Sequence, residues 1–258
     1  MSDNSVVLMS IPSLFVVMLL LLEVGRRLGA RHVGEETEHE RSGWGLMEAA
    51  MYGLLGLLIA FTVAGAGSRY DRRRALTVQE ANAIGTAYLR LNLLPPAAQP
   101  ALREKFRSYT EARLRVFQAL PDVDASNAQD ARAKQLQQDI WNGAIAALHD
   151  APQASSMLLL PALNDMIDIT TTRAVELKAH TPIPILGVLV LLAVLCCLLG
   201  GYSVAGGKQL GSRLHMLGFA VVVTLTVYVI FDLDHPRVGL IRLDYADQAF
   251  LDLLTMMK

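Results

Sequence analysis

The chain has 258 residues, of which 53% are hydrophobic and only 18% charged, a balance too apolar for an ordinary water-soluble domain. Part of it must live in lipid, and a formal net charge of −1 lacks the basic excess with which proteins grip nucleic acid, so no nucleic-acid partner is expected. Cys196 and Cys197, the only cysteines, are adjacent inside an apolar run and read as reduced packing residues.

A bilayer core takes about 20 apolar residues of helix, and four charge-poor runs supply them: Val6–Leu22, Leu46–Gly67, Ile183–Ala205 and Leu214–Phe231. The first run follows Asp3 rather than a basic residue, and no small-residue cleavage pattern follows its leucines. It therefore reads as a span and not as a leader. The stretch Glu23–Gly45 mixes both charge signs with Gly25, Gly34, Gly43 and Gly45 and is expected to be a partly irregular linker.

The second run opens with Glu48 and carries Gly53, Gly56, Ala60 and Ala64 at helical spacing. Such a stripe lets another helix approach closely, because no bulky side chain intervenes. The alternative reading is that it borders a pore, where small side chains leave room for ions. The run leaves through Ser68-Arg69-Tyr70-Asp71-Arg72-Arg73-Arg74, with Glu80 and Asn82 beyond. Two roles stay open for this segment: an interfacial anchor with arginines at the headgroups, or a structural ion-pair network.

Residues 68–182 are charged and alanine-rich and lack strand-like alternation, so they form a helical, water-soluble block. Leu136, Ile140, Ala144 and Leu148 recur every four residues, and Leu159, Leu163, Met166, Ile167, Ala174 and Leu177 also keep a helical period. Pro95-Pro96 and Pro121 end helices, and Ser126 with Gln129 resembles a capping box opening the next one. About four helices result, the first continuing from the second span and the last running into the third. On that last helix Asn164, Asp165, Asp168 and Arg173 form a polar cluster of architectural kind, Asp165 and Asp168 being neighbours at a spacing of three.

Gly206-Gly207-Lys208-Gln209 joins the third and fourth spans as a flexible turn; no Ser or Thr follows the lysine and no strand precedes it, which excludes a phosphate loop. After the fourth span comes Asp232-Leu233-Asp234-His235-Pro236-Arg237. These acids either pair with Arg237 and tie the chain end to the soluble helices, or contribute to a metal clasp, although calcium needs six to eight oxygens. The six histidines show no metal-ligand spacing, and no serine sits in a nucleophile elbow, so no enzyme is expected. The chain divides into a first helix pair (1–67), the soluble block (68–182), a second pair (183–231) and a C-terminal tail (232–258). Four spans place both termini and the block on one side. Eight Lys and Arg flank the spans there against six opposite, which favours cytoplasmic termini, while Arg26, Arg27 and Arg31 after the first span argue the other way.

The residues Leu55-Gly56-Leu57-Leu58-Ile59-Ala60-Phe61 followed by Ser68-Arg69-Tyr70-Asp71-Arg72 resemble the second helix of the bestrophin superfamily. With Glu80-Ala81-Asn82-Ala83-Ile84-Gly85-Thr86, Leu160-Pro161 and the Asp232–Arg237 segment, nearly the whole chain resembles the bestrophin-like domain family of bacterial membrane proteins. That resemblance implies an all-α membrane fold of four spans with a helical block between the second and third, assembled as a pentamer in the bacterial inner membrane. It implies a pore lined by the second span, through Ala49, Gly53 and Leu57 as the ladder together with Gly56, Ala60 and Ala64, with Glu48 as a charge at the mouth favouring cations and the soluble helices extending the conduit. Two of the three ladder positions are small here, a departure from the family's bulky neck. The structural polar network implied around the exit comprises Arg69, Tyr70, Asp71, Arg72, Glu80, Asn82, Asp168 and Arg173. No cofactor is expected beyond calcium at Asp232 and Asp234, which match the family's acidic clasp in part. The expected partners are further copies of the chain, membrane lipid and small inorganic ions. The rival function is a non-conducting scaffold or sensor whose helical block binds a protein partner.

Overall fold

The computed structural model describes residues 3–32, 38–120, 122–205, 209–235, 240–241 and 244–258. Eight α-helices account for nearly all of them: α1 Asp3–His32, α2 Glu38–Arg90, α3 Gln99–Gln118, α4 Val123–Leu148, α5 Gln153–Leu177, α6 Ile183–Ser203, α7 Gln209–Asp234 and α8 Asp244–Met256. Among the described residues, three helical stretches are long and apolar enough to cross a membrane, in α2, α6 and α7.

Several boundaries differ from the sequence reading, each for a local reason. The expected linker at 23–45 is helical up to His32 and again from Glu38. Glu23 accepts from Arg26 at 2.7 and 2.8 Å and from Arg27 at 2.9 Å, and pairs three and four residues apart sustain helix. Gly34 lies outside the described residues. At the far end of α2, Leu94 is extended (φ −90°, ψ 159°), as the residue before Pro95 is driven to be. The cap of α4 is Asp122, which accepts from the Ala125 N–H at 3.0 Å; Ser126 is instead inside the helix and donates to the Val116 carbonyl at 2.7 Å. Nor does the last soluble helix run into the third span. The chain breaks between Leu177 and Ile183, because Pro182 and Pro184 remove amide donors and Pro182 disfavours helical backbone at Thr181.

The helices fall into two compact units, one of residues 3–68 with 180–234, the other of 69–179 with 235–258. In the first, α6 lies between α1 and α2. Its Cys197 joins Met18 and Leu22 of α1 and Met216, Ala220 and Val223 of α7 in one cluster. Its Leu189, Leu192 and Cys196 join Leu55 and Ala66 of α2 and Ile230 of α7 in another. The α1–α6 seam is a backbone contact: a methyl group built on Gly25 would overlap the Leu198 carbonyl, one on Gly29 the Tyr202 carbonyl, and one on Gly201 the Leu22 carbonyl. Between helices in lipid, close packing of small residues replaces the hydrophobic drive.

In the second unit the core is large and aromatic. Ile84, Ala87 and Tyr88 of α2 and Leu91 just after it meet Leu102, Phe106 and Tyr109 of α3, Ile140 and Ala144 of α4, and Leu159, Leu163 and Met166 of α5. The C-terminal tail supplies α8. This helix buries Phe250 and Leu253 in the same core, and Met257 just beyond it receives a hydrogen bond from the Thr110 hydroxyl at 3.7 Å.

The exposed face of α2 and a buried ion cluster

In the first unit the two sides of α2 are unlike. Leu55 and Ala66 are buried, and Met51, Tyr52, Leu58, Ile59 and Val63 pack beside them against α6 and α7. Tyr52 sits 5.5 Å from the Phe219 ring of α7. On the other side Ala49, Gly53, Gly56, Leu57, Ala60 and Ala64 are all exposed, Leu57 at 53%. A methyl group built on Gly53 or Gly56 would meet no atom within 4 Å. The stripe therefore packs against none of the chain's own described helices.

Glu48 does not belong to that stripe. It lies one turn before Tyr52 on the packed side, accepts a hydrogen bond from the Tyr52 hydroxyl at 2.7 Å and accepts another from Ser203 of α6. Its carboxylate is held by one bond within α2 and one from α6 rather than turned outward with Ala49 and Gly53.

The second unit is built around Glu80, whose side chain is fully buried. One carboxylate oxygen receives the Arg113 Nε at 2.5 Å and the other the Arg173 Nη1 at 2.6 Å. Arg113 continues to Asp130 at 3.1 Å, and Asp130 to Lys134 at 2.7 Å. The Arg173 guanidinium also lies 3.6 Å from the Phe117 ring centroid, a geometry in which the ring's negative face adds to the attraction. One carboxylate thus links α2 to α3 and α5, and through Arg113 to α4. Burial is the largest single influence on Glu80 and pushes its pKa up, but the guanidinium groups of Arg113 and Arg173 together outweigh it and hold the carboxyl below the usual range. A buried charge is tolerated only when paired and hydrogen-bonded in this way.

Of the network expected around the exit of α2, the structure brings together Glu80 and Arg173 and leaves Asp71, Asn82 and Asp168 apart from them. Arg69 and Tyr70 are half-buried and engaged. Arg72 approaches Glu176 of α5 at 3.6 Å. Asp71, Asn82 and Asp168 are exposed and have no side-chain hydrogen bond or ion pair among the described residues. Asp168 is five residues before Arg173 and so faces away from it on the helix, with Asp165, on the side opposite Leu159, Leu163 and Met166. Arg113 and Arg73 were missed. Arg73, 3% exposed, donates to the Ala179 carbonyl at 2.6 Å. Arg113 had a signal in the sequence: it continues the apolar stripe Leu102, Phe106, Tyr109 of α3, and a charge on such a stripe requires a buried partner.

Asp234 accepts from both the hydroxyl and the backbone N–H of Thr181, at 2.6 and 3.3 Å, and so anchors the segment just before α6. Asp232 is buried and engaged; Arg237 lies outside the described residues. No group of three His, Cys, Asp or Glu that could hold a metal occurs among the described residues. Two carboxylates, one of them already taken up by Thr181, do not fit a hard cation that takes six to eight oxygens.

A family model described as the Bestrophin-like domain matches residues 13–247. Among solved structures, a point variant of a bacterial bestrophin homologue from Klebsiella pneumoniae superposes with a TM-score of 0.69 at 13% identity, covering 95% of this chain and 98% of that one. A second variant of that homologue gives 0.68 at 14% identity, over 94% and 98%. A variant described simply as a membrane protein gives 0.68 at 12% identity, over 93% and 98%. At such identities the likeness is one of fold. No curated protein matches the chain significantly.

Proposed function

The chain belongs to the bestrophin-like domain family of integral membrane proteins, and from that premise we propose that it is one subunit of a homo-oligomeric, pentameric ion channel whose second span lines the pore. The observation that carries this reading is the outward face of α2. Glycine and alanine at Gly53, Gly56, Ala60 and Ala64 present backbone rather than bulk, and among the described residues no helix of the same chain covers them. Exposing that surface to hydrocarbon is wasteful for a membrane helix, whereas around a central passage it gives width and dipoles that act on ions.

In this reading α1, α2, α6 and α7 are the four spans, and both termini and the second unit lie on the cytoplasmic side of a bacterial inner membrane. Ala49, Gly53 and Leu57 make the narrowest stretch, and Glu48 tightens α2 against α6 instead of guarding the mouth. The protein moves small inorganic ions and transforms no substrate. The test joins mass in detergent with ion flux from reconstituted liposomes. A pentamer that conducts supports the proposal; a monomer or dimer without flux in any salt overturns it and leaves the non-conducting scaffold.

A further inference from the structure

The uncovered line of α2 does not end with its small residues. The helix is unbroken from Glu38 to Arg90, and positions three or four apart share one face. From Ala60 and Ala64 that spacing leads to Ser68 and Asp71, with Ala75, Val78 and Asn82 beyond, and all of these are exposed. Asp71 follows Ala64 by seven residues, about two turns and so almost directly in line with it. Its neighbours in sequence are arginines, yet none of them meets it. Arg69 is half-buried and engaged. Arg73 is buried and donates to the Ala179 carbonyl at 2.6 Å. Arg72 approaches Glu176 at 3.6 Å, and the Arg74 guanidinium lies 5.7 Å from the Tyr245 ring centroid. Arg72 is turned off the line by about 100° and Arg74 by about 60°. The Asp71 carboxylate is left exposed, without a hydrogen bond or ion pair among the described residues.

Small residues alone do not tell water from lipid or from another helix. A carboxylate does, because against hydrocarbon or an apolar neighbour its charge would stand unpaired at heavy cost. Its place on the line marks this side of α2 as the side that meets water. Ser68 and Ala75, about one turn to either side, are small and leave the carboxylate open to a hydrated ion. We propose that Asp71 sets the charge selectivity of the pore: one carboxylate from each subunit forms a ring that draws small monovalent cations along α2 and repels anions. This rests on the channel reading and deepens it. With Glu48 held on the packed side, Asp71 is the one carboxylate on the uncovered line between Ala49 and Asn82.

The experiment reconstitutes the full chain in planar bilayers under a gradient of potassium chloride, where the reversal potential gives the ratio of potassium to chloride permeability. Wild type should favour potassium. Asp71→Asn should lower the ratio several-fold, Asp71→Lys should invert it and Asp71→Glu should keep it. Asp168→Asn, which removes an exposed acid of α5, should leave it unchanged. The effect of Asp71→Asn should also shrink as salt is raised, because the Debye length falls from about 10 Å at 0.1 M to about 3 Å at 1 M; a purely structural role would not follow salt in this way. A chloride-selective wild type, or a ratio that both Asp71→Asn and Asp71→Lys leave unchanged, overturns the proposal while the channel stands. Loss of oligomer mass in Asp71→Asn also overturns it, since the carboxylate would then pair with a neighbouring subunit. A wild type that carries no current in any salt sinks the channel reading and this proposal with it.

Discussion

The two units hold their helices together by opposite means. In the first, Gly25, Gly29 and Gly201 bring the backbones of α1 and α6 into contact, and polar groups on the helix faces, such as Glu48, are few. In the second, Tyr88, Phe106, Tyr109 and Phe250 fill a broad core, and a fully buried carboxylate holds two arginines. The contrast follows the solvent. Water drives large side chains together in the second unit, while lipid gives helices no such drive and leaves close packing and hydrogen bonds to decide.

The largest blow to this contrast should come from the charge cluster. Arg113→Ala leaves Glu80 half-paired in the core and should cost about 3–5 kcal/mol, read as loss of the thermal transition or of soluble yield in detergent. Were Arg113→Ala harmless, the cluster would not be what fixes the second unit. Its pH dependence has a definite sign. Because the folded pKa of Glu80 is lowered, its contribution is fully present above the ordinary Glu value of about 4.3 and is lost as pH falls through the folded value. Acid melting curves should therefore show a drop that Glu80→Gln abolishes.

Next in size are the seam glycines. Gly25→Leu and Gly201→Leu force α1 from α6 and should cost about 1–3 kcal/mol or more, with loss of monodisperse protein on size exclusion. Gly53→Leu sharpens the comparison, since the same substitution meets open space within the chain: melting should hold while ion flux falls, and unchanged flux would move the pore off this face. The smallest effect belongs to Asp168→Asn, exposed and without a side-chain partner among the described residues, which should change stability by no more than about 0.5 kcal/mol in denaturant or thermal melts.

How much of the site could be read beforehand differs from residue to residue. The small stripe of α2 was legible because helical spacing alone puts Gly53, Gly56, Ala60 and Ala64 on one face. That spacing could not say whether another helix covers them, and the two readings it left open, packing or pore, separate only when the neighbours of α2 are known. That Glu48 lies on the packed side with Tyr52 was not legible, because its nearness to Ala49 in sequence hides a rotation of one residue. The polar network was half legible: Glu80 and Arg173 were singled out, but Asp168 was grouped with Arg173 by proximity along the chain.

The sequence by itself determined the apolar runs, the helical character of the middle block, the breaks at proline and the likeness to the bestrophin-like family, since each depends on composition or on residues within a few positions of one another. Only the tertiary structure decided which face of α2 stays uncovered, that α6 and α7 separate α1 from α2, and that Glu80 is shared by two arginines 33 and 93 positions away. Those pairings depend on how packed helices rotate about their axes, and a rotation of one residue, about 100°, exchanges a core partner for an exposed one.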